Sequence, residues 1–195
     1  PNFINLVNEL GCRVSLEHIV VMGFTHTGKT TASEILSQKL GLKSVDLDVQ
    51  ILQAHNHAQN SDDTIDLIFE KYGNQYFRDL EREVLLRELH DQTPKVLSLG
   101  GGAIMDPVSQ QRLLAHNNIL LHSDLDLVAQ RMLEHGVHGY LDLENPTKHE
   151  LLVKLQEVYR FREPVYNKLA KFVVHNNKSL QHLFEQITQL SDSLN

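Results

Sequence analysis

Val20-Val21-Met22-Gly23-Phe24-Thr25-His26-Thr27-Gly28-Lys29-Thr30-Thr31 is the stretch on which the reading of this chain turns. An apolar run ends in Gly23, four residues separate it from Gly28, and Lys29 and Thr30 lead into a segment with apolar periodicity. The spacing is G-x-x-x-x-G-K-[ST], with a strand expected before it and a helix after it. Glycines let backbone N–H groups turn inward around a polyphosphate, and a helix starting near Gly28 points its positive end at the same anion. Gly23, Thr25, His26, Thr27, Gly28, Lys29, Thr30 and Thr31 are therefore the candidate nucleotide-binding residues. Lys29 would reach the β- and γ-phosphates, and the Thr30 hydroxyl would serve magnesium. A glycine turn that merely joins strand to helix is the competing reading. His26 stands at the loop's fourth position, commonly glycine, and fits only in a backbone region that histidine reaches.

Outward from this loop, the whole chain sets bounds. Its 195 residues suit one well-buried domain and are too few for two of ordinary size. A hydrophobic fraction of 41% with 22% charged residues is that of a soluble globular protein. The net charge of −7 argues against a nucleic-acid backbone or an anionic membrane as main partner, so any phosphate is bound locally. The single Cys12 forms no internal disulfide, and no signal peptide or long apolar run is present, which favours a reducing, cytosolic setting. A monomer is expected. The 12 histidines match no zinc spacing and are expected on polar surface.

Upstream, Phe3, Ile4, Leu6, Val7 and Leu10 fit one face of a short helix stopped by Gly11, so residues 1–17 are expected as a helical extension to a single domain over 18–195. Downstream, a helix is predicted from Thr30 to Leu40 and a second strand from Lys43 to Leu47, running into Asp46-Leu47-Asp48. In a strand, residues two apart share a side, so both carboxylates would look out of one end of the sheet. Side by side they repel unless a cation or a substrate hydroxyl lies between them. A capping acid for a helix from Val49 onward is the alternative for Asp48.

A polar patch at 53–63 precedes helical patterns over Thr64–Tyr72 and about Gln75–Leu89, with Gly73 between them. Arg78 and Glu81 are neighbours on the second helix, where a solvated ion pair is the plain expectation. Lys95 to Leu99 is a third strand that runs into Gly100-Gly101-Gly102. Three glycines there expose backbone N–H groups and permit close approach of a ligand, a tight turn being the alternative. A helix from Asp106-Pro107 through Leu114, a strand over Ile119–Leu121 and a helix capped by Asp124 and carrying Arg131 follow. The segment from His135 to Pro146 has no apolar period and reads as a loop suited to a lid, about 135–147. A helix from Lys148 to about Tyr166, a strand over Lys171–Val174 and a helix from Ser179 to about Leu190 close the chain. The alternation predicts an α/β fold with a five-stranded parallel sheet and helices on both faces. Ligands bind such sheets at the carboxyl edge, a rule that gathers the phosphate loop, Asp46/Asp48 and the glycine triplet on one rim.

With these pieces in place, the chain resembles the shikimate kinase family, of the three-layer P-loop, nucleoside-monophosphate-kinase-like fold. The resemblance is carried by Gly23-x4-Gly28-Lys29-Thr30, Asp46-Leu47-Asp48, Thr64-Ile65-x-x-Ile68-Phe69-x3-Gly73-x3-Phe77-Arg78-x-x-Glu81, Gly100-Gly101-Gly102-Ala103 and Arg162-x-Pro164-x-Tyr166. It implies ATP and magnesium, with transfer of a phosphoryl group to a shikimate hydroxyl. Lys29 would hold the ATP phosphates, and Thr30 and Asp46 would organise the metal. Asp48 would accept or orient the acceptor's hydroxyl proton. Arg78, Arg162 and the amides of Gly100, Gly101 and Gly102 would bind the substrate within a small helical region at about 48–90. Glu81 would hold Arg78, and Arg131 would lie against adenine. Where the family carries Arg-Pro-Leu-Leu in its lid, this chain has Val137-His138-Gly139-Tyr140-Leu141, with His138 and Lys148 as the basic residues to hand. Beside the active kinase stand two further readings: a kinase of another polyol acid or cyclitol, and a non-catalytic ligand-sensing domain.

Overall fold

Every residue of β1 (Ile19–Met22) is buried, and the alternation of its side chains divides the interior in two. In the computed structural model, which describes residues 17–137, 141, 143 and 145–194, it is flanked by β2 (Lys43–Asp46), β3 (Lys95–Ser98), β4 (Asn117–His122) and β5 (Phe172–His175). All pairings are parallel and the order is β2–β3–β1–β4–β5. Crossovers are made by α1 (Lys29–Leu40), α2 (Leu47–Gln59), α3 (Ile65–His90), α4 (Pro107–Leu113), α5 (Leu125–His135) and α6 (Lys148–Leu169), and α7 (Leu180–Leu194) follows β5.

Val20 and Met22 face a core built with Ile51 of α2, Val84 and Leu85 of α3 and Tyr166 of α6. Ile19 and Val21 face the opposite core, built with Leu36 of α1 and Ile187 of α7. A strand covered on both sides needs apolar residues throughout, which is why β1 lacks alternation in its sequence. Each such side chain fully removed from water contributes about 1.5–3 kcal/mol. The three-layer architecture is therefore the one expected. Among the described residues, no helix is long and apolar enough to cross a membrane.

Three expectations need correction. The strand ends at Asp46, and Leu47 already opens α2 because the Asp46 side chain accepts from the amides of Asp48 and Val49. Asp46, not Asp48, is the capping acid, and Asp48 occupies the first helical turn. The polar patch at 53–63 is helical up to Gln59, and its His55 is fully buried. His18 and His116 are buried as well, so the histidines are not uniformly on the surface. The predicted break at Gly73 appears as a kink inside α3, with φ 82° and ψ 169°, a conformation that glycine adopts without Cβ strain. The helix expected over residues 1–17 lies, Glu17 apart, outside the described residues, as do lid residues 138–140, 142 and 144, His138 among them. Leu141 of that lid is fully buried in a cluster with Phe24, Met132 and Leu155.

His18 and His116 meet at the amino end of β1, their rings stacked at 4.9 Å and the His18 amide donating to His116 Nδ1 at 3.2 Å. Burial, followed by the charge of Lys95, lowers His18 below 6.5; burial, followed by His18, lowers His116 to about 4. The unfolded chain therefore binds protons that the folded one refuses. The pair's contribution is intact above about pH 6.5 and is lost as pH falls from there toward 4. His116→Asn keeps an acceptor for the His18 amide, and the fall in Tm between pH 7 and pH 5 is expected to shrink in that variant. An identical pH profile of Tm would contradict the assignment.

Candidate active site

The parallel sheet places its strand ends on one rim, and a cleft of about 500 Å³ opens there. Its lining draws on separated parts of the chain: Thr25, His26, Gly28, Lys29 and Thr30 after β1, Asp46 and Asp48 after β2, and Gly100–Gly102 after β3, with Arg78 and Arg162 from α3 and α6. Gly23, Thr27, Thr31 and Arg131 do not line it.

The loop after β1 is held from within and from behind. Thr27 Oγ1 and Lys29 Nζ both donate to the Phe24 carbonyl at 2.8 Å. Asn176 Nδ2 donates to the Thr27 carbonyl at 2.8 Å, and an Arg131 guanidinium N–H donates to the His26 carbonyl at 3.0 Å. Three carbonyls of the loop thus have donors from the protein, which reduces the negative charge they present to a phosphate. His26 lies at φ 54° and Gly28 at φ 90°, the first in the left-handed region that histidine tolerates. A Cβ on Gly23 would lie 2.3 Å from the Leu121 carbonyl oxygen, so the first glycine is required by packing against β4. Burial pulls the Lys29 ammonium down to about 8, against the attraction of Asp48 and Asp46. A polyphosphate would supply the negative charge that this ammonium lacks.

Around the glycine triplet the fold packs charged side chains into the space that Cβ atoms would fill. A Cβ on Gly100 would stand 2.8 Å from Asp48 Oδ1; on Gly101, 3.2 Å from a nitrogen of Arg162; on Gly102, 2.7 Å from a nitrogen of Arg78. The triplet is therefore a close-approach site, not an ordinary tight turn. The Tyr166 hydroxyl donates to the Gly101 carbonyl at 3.0 Å and fixes the triplet to α6.

Arg78 donates to Glu81 at 2.5 Å, and the pair is not solvated as expected, because Glu81 is buried. Burial raises the Glu81 carboxyl above its ordinary range, with Arg78 opposing. The Arg78 guanidinium also stands 5.2 Å from the Phe77 ring, and that of Arg162 stands 5.4 Å from the Phe24 ring. Both cations are thus oriented by aromatic faces in a partly dry site. Asp48 has its carboxyl raised by burial and then by Asp46, while Lys29 and Arg78 pull it down. One carboxylate of heightened basicity and two positioned guanidinium groups suit an acceptor that carries both a hydroxyl and a carboxylate.

Three residues that hold this site escaped the sequence reading: Asn176, Tyr166 in its bond to Gly101, and Phe24 as the ring beneath Arg162. Asn176 directly follows β5, so the rule that strand ends form the site was the available signal. Lys148, one of the two basic residues near the lid, is paired with Asp126 at 2.8 Å on the surface.

A family model described as Shikimate kinase matches residues 25–191. The shikimate kinase of Macrococcus caseolyticus (strain JCSC5402) is 32% identical over 171 residues, covering 86% of this chain and 92% of that protein. The shikimate kinase of Acinetobacter baumannii (strain AYE) is 30% identical over 178 residues, covering 90% of this chain and 92% of its own length. Among solved structures, shikimate kinase from Acinetobacter baumannii in complex with shikimate is similar at a TM-score of 0.77 and 28% identity, covering 93% of this chain and 96% of that one. Matches of this extent, on a fold and rim of the kind just described, show that the chain belongs to the shikimate kinase family, whose members are ATP-using kinases with an alcohol as acceptor.

Proposed function

We propose that this protein transfers the γ-phosphoryl group of ATP to a ring hydroxyl of shikimate, with magnesium. The observation that carries the reading is the crowding of Asp48, Arg78 and Arg162 onto the three glycines, on the rim that also bears the phosphate loop. Phosphoryl transfer asks little covalent chemistry of the protein, only alignment of donor and acceptor and support for charge on the moving group. Lys29 and the loop amides hold the phosphates, with Arg131 and Asn176 keeping the loop in shape. Arg78 and Arg162 take the substrate carboxylate, Glu81 fixes Arg78, and the Gly101 and Gly102 amides donate to the substrate. Asp48 orients the attacking hydroxyl and takes its proton.

Thr30 and Asp46 offer hard oxygen donors in the same cleft, a set that fits magnesium. When bound, the metal supplies positive charge to the phosphates. The described lining of the cleft comes from one chain, which supports action as a monomer, and the lone Cys12 supports a cytosolic setting. Incubation with ATP, magnesium and shikimate is expected to yield a singly phosphorylated shikimate by mass spectrometry, and none after chelation of the metal. Unmodified shikimate in the presence of metal would refute the reading.

A further inference from the structure

Behind the acid-binding helix, outside the cleft, lies a buried polar group that the proposed chemistry does not use. His55 of α2 is fully buried, yet both its ring nitrogens have partners. Nδ1 lies 2.9 Å from the Tyr76 hydroxyl of α3, and Nε2 lies 3.2 Å from Asp63 Oδ2. Lys71 also bonds Asp63 and holds its carboxyl below the usual range. With Asp63 ionised, Nε2 carries the proton and donates, and Nδ1 accepts from Tyr76. Asp63 is itself fixed, since its amide donates to Asn56 Oδ1 at 2.9 Å and its carbonyl accepts from Asn56 Nδ2 at 3.0 Å.

The position of this group gives it a consequence for the site. Tyr72 and Tyr76 lie on either side of the Gly73 kink, their rings stacked at 4.9 Å. Both meet the His55 ring edge to face, at 4.9 and 5.6 Å. His55 therefore grips α3 on both sides of its one non-helical residue. The half before the kink brings Phe69 to the cleft; the half after it brings Phe77, Arg78 and Glu81. His55 also stands two turns along α2 from Asp48, about 10 Å by helical rise. A change in the kink angle would move Arg78 relative to Asp48, whereas the phosphate loop, on another element, would stay in place.

We infer that His55, with Asp63 and Tyr76, is a positioning group that sets the kink at Gly73 and so the distance between the carboxylate-binding Arg78 and the base Asp48. The inference rests on the function proposed above. It predicts a change confined to the acid substrate. Tyr76→Phe keeps the stacked ring and deletes only the hydroxyl; the KM for shikimate is expected to rise about three- to tenfold, the effect of one buried hydrogen bond. The KM for ATP is expected to stay near its original value, and kcat with shikimate to fall modestly as the hydroxyl shifts relative to Asp48. His55→Leu should raise the shikimate KM further, and His55→Gln, which can both donate to Asp63 and accept from Tyr76, should restore much of it. A merely structural role would lower Tm and the active fraction while leaving the KM of the folded remainder unchanged, and that result would overturn the inference. Turnover of shikimate by the unaltered protein, with no shift of KM in any of the three variants, refutes this inference alone. No shikimate turnover by the unaltered protein refutes the proposed function and this inference with it.

Discussion

Asp48→Asn is expected to lower kcat by about 10²–10⁴-fold, the range for loss of a general base, with ATP affinity largely retained. The substitution keeps shape and hydrogen-bonding capacity beside Gly100, where a Cβ would already touch Asp48 Oδ1, so packing gives no reason for the change. What it removes is basicity. Burial and the neighbouring Asp46 raise this carboxyl, while Lys29 and Arg78 keep it from rising further. Such a carboxylate is more avid for a proton than one in water, as acceptance of a hydroxyl proton requires. In the proposed function ATP is held by the loop and Lys29 and not by Asp48, so nucleotide titration should be little affected. A variant that keeps its full kcat would remove Asp48 from the chemistry.

Arg162→Ala is expected to weaken binding of the acid substrate by about 1.5–3 kcal/mol, or roughly 10–150-fold in KM, the value of a hydrogen-bonded charge partner. Arg162 is only 9% exposed, and its guanidinium lies against Phe24 and beside Gly101. A carboxylate meeting it exchanges water for a planar donor that is already oriented. Lysine should not rescue, because a point charge cannot reproduce the fork or the ring contact. The methyl ester of shikimate separates charge recognition from general damage. It should be a poor ligand for the unaltered protein and no poorer for the variant. An unchanged shikimate KM would contradict the clamp.

The phosphate loop was legible because its physics is local: glycine, lysine and threonine at fixed offsets between an apolar run and an amphipathic segment. The sheet was legible for a similar reason, since strands buried on both faces read as unbroken apolar runs. Asp46 and Asp48 reach the cleft by a conformation other than the one expected. Period-two alternation put both acids on one side of a strand, whereas the Asp46 side chain ends the strand and starts a helix. Both still reach the cleft, because a strand end and the first turn after it occupy the same rim.

His55 was not legible. In sequence it sits among Asn, Gln and other histidines and looks solvated. Its burial comes from Tyr72, Tyr76 and Asp63, which only the packing of α3 on α2 brings to it. The same holds for Glu81, a surface residue by helical spacing that lies buried beside Arg78 and Gly100. Long-range packing, unlike turn chemistry or capping, leaves little trace in a single chain.

The most direct test is a coupled assay of ADP release with ATP and magnesium, run with shikimate, quinate, gluconate, a cyclitol or no acceptor. ADP release that depends on shikimate and far exceeds that with the other acceptors is the predicted result, and it would show that the chain turns over with Val137-His138-Gly139-Tyr140-Leu141 in the segment expected as a lid. Release no greater with shikimate than without an acceptor, while calorimetry still detects nucleotide or shikimate binding, would contradict the kinase account and leave a ligand-sensing domain in its place.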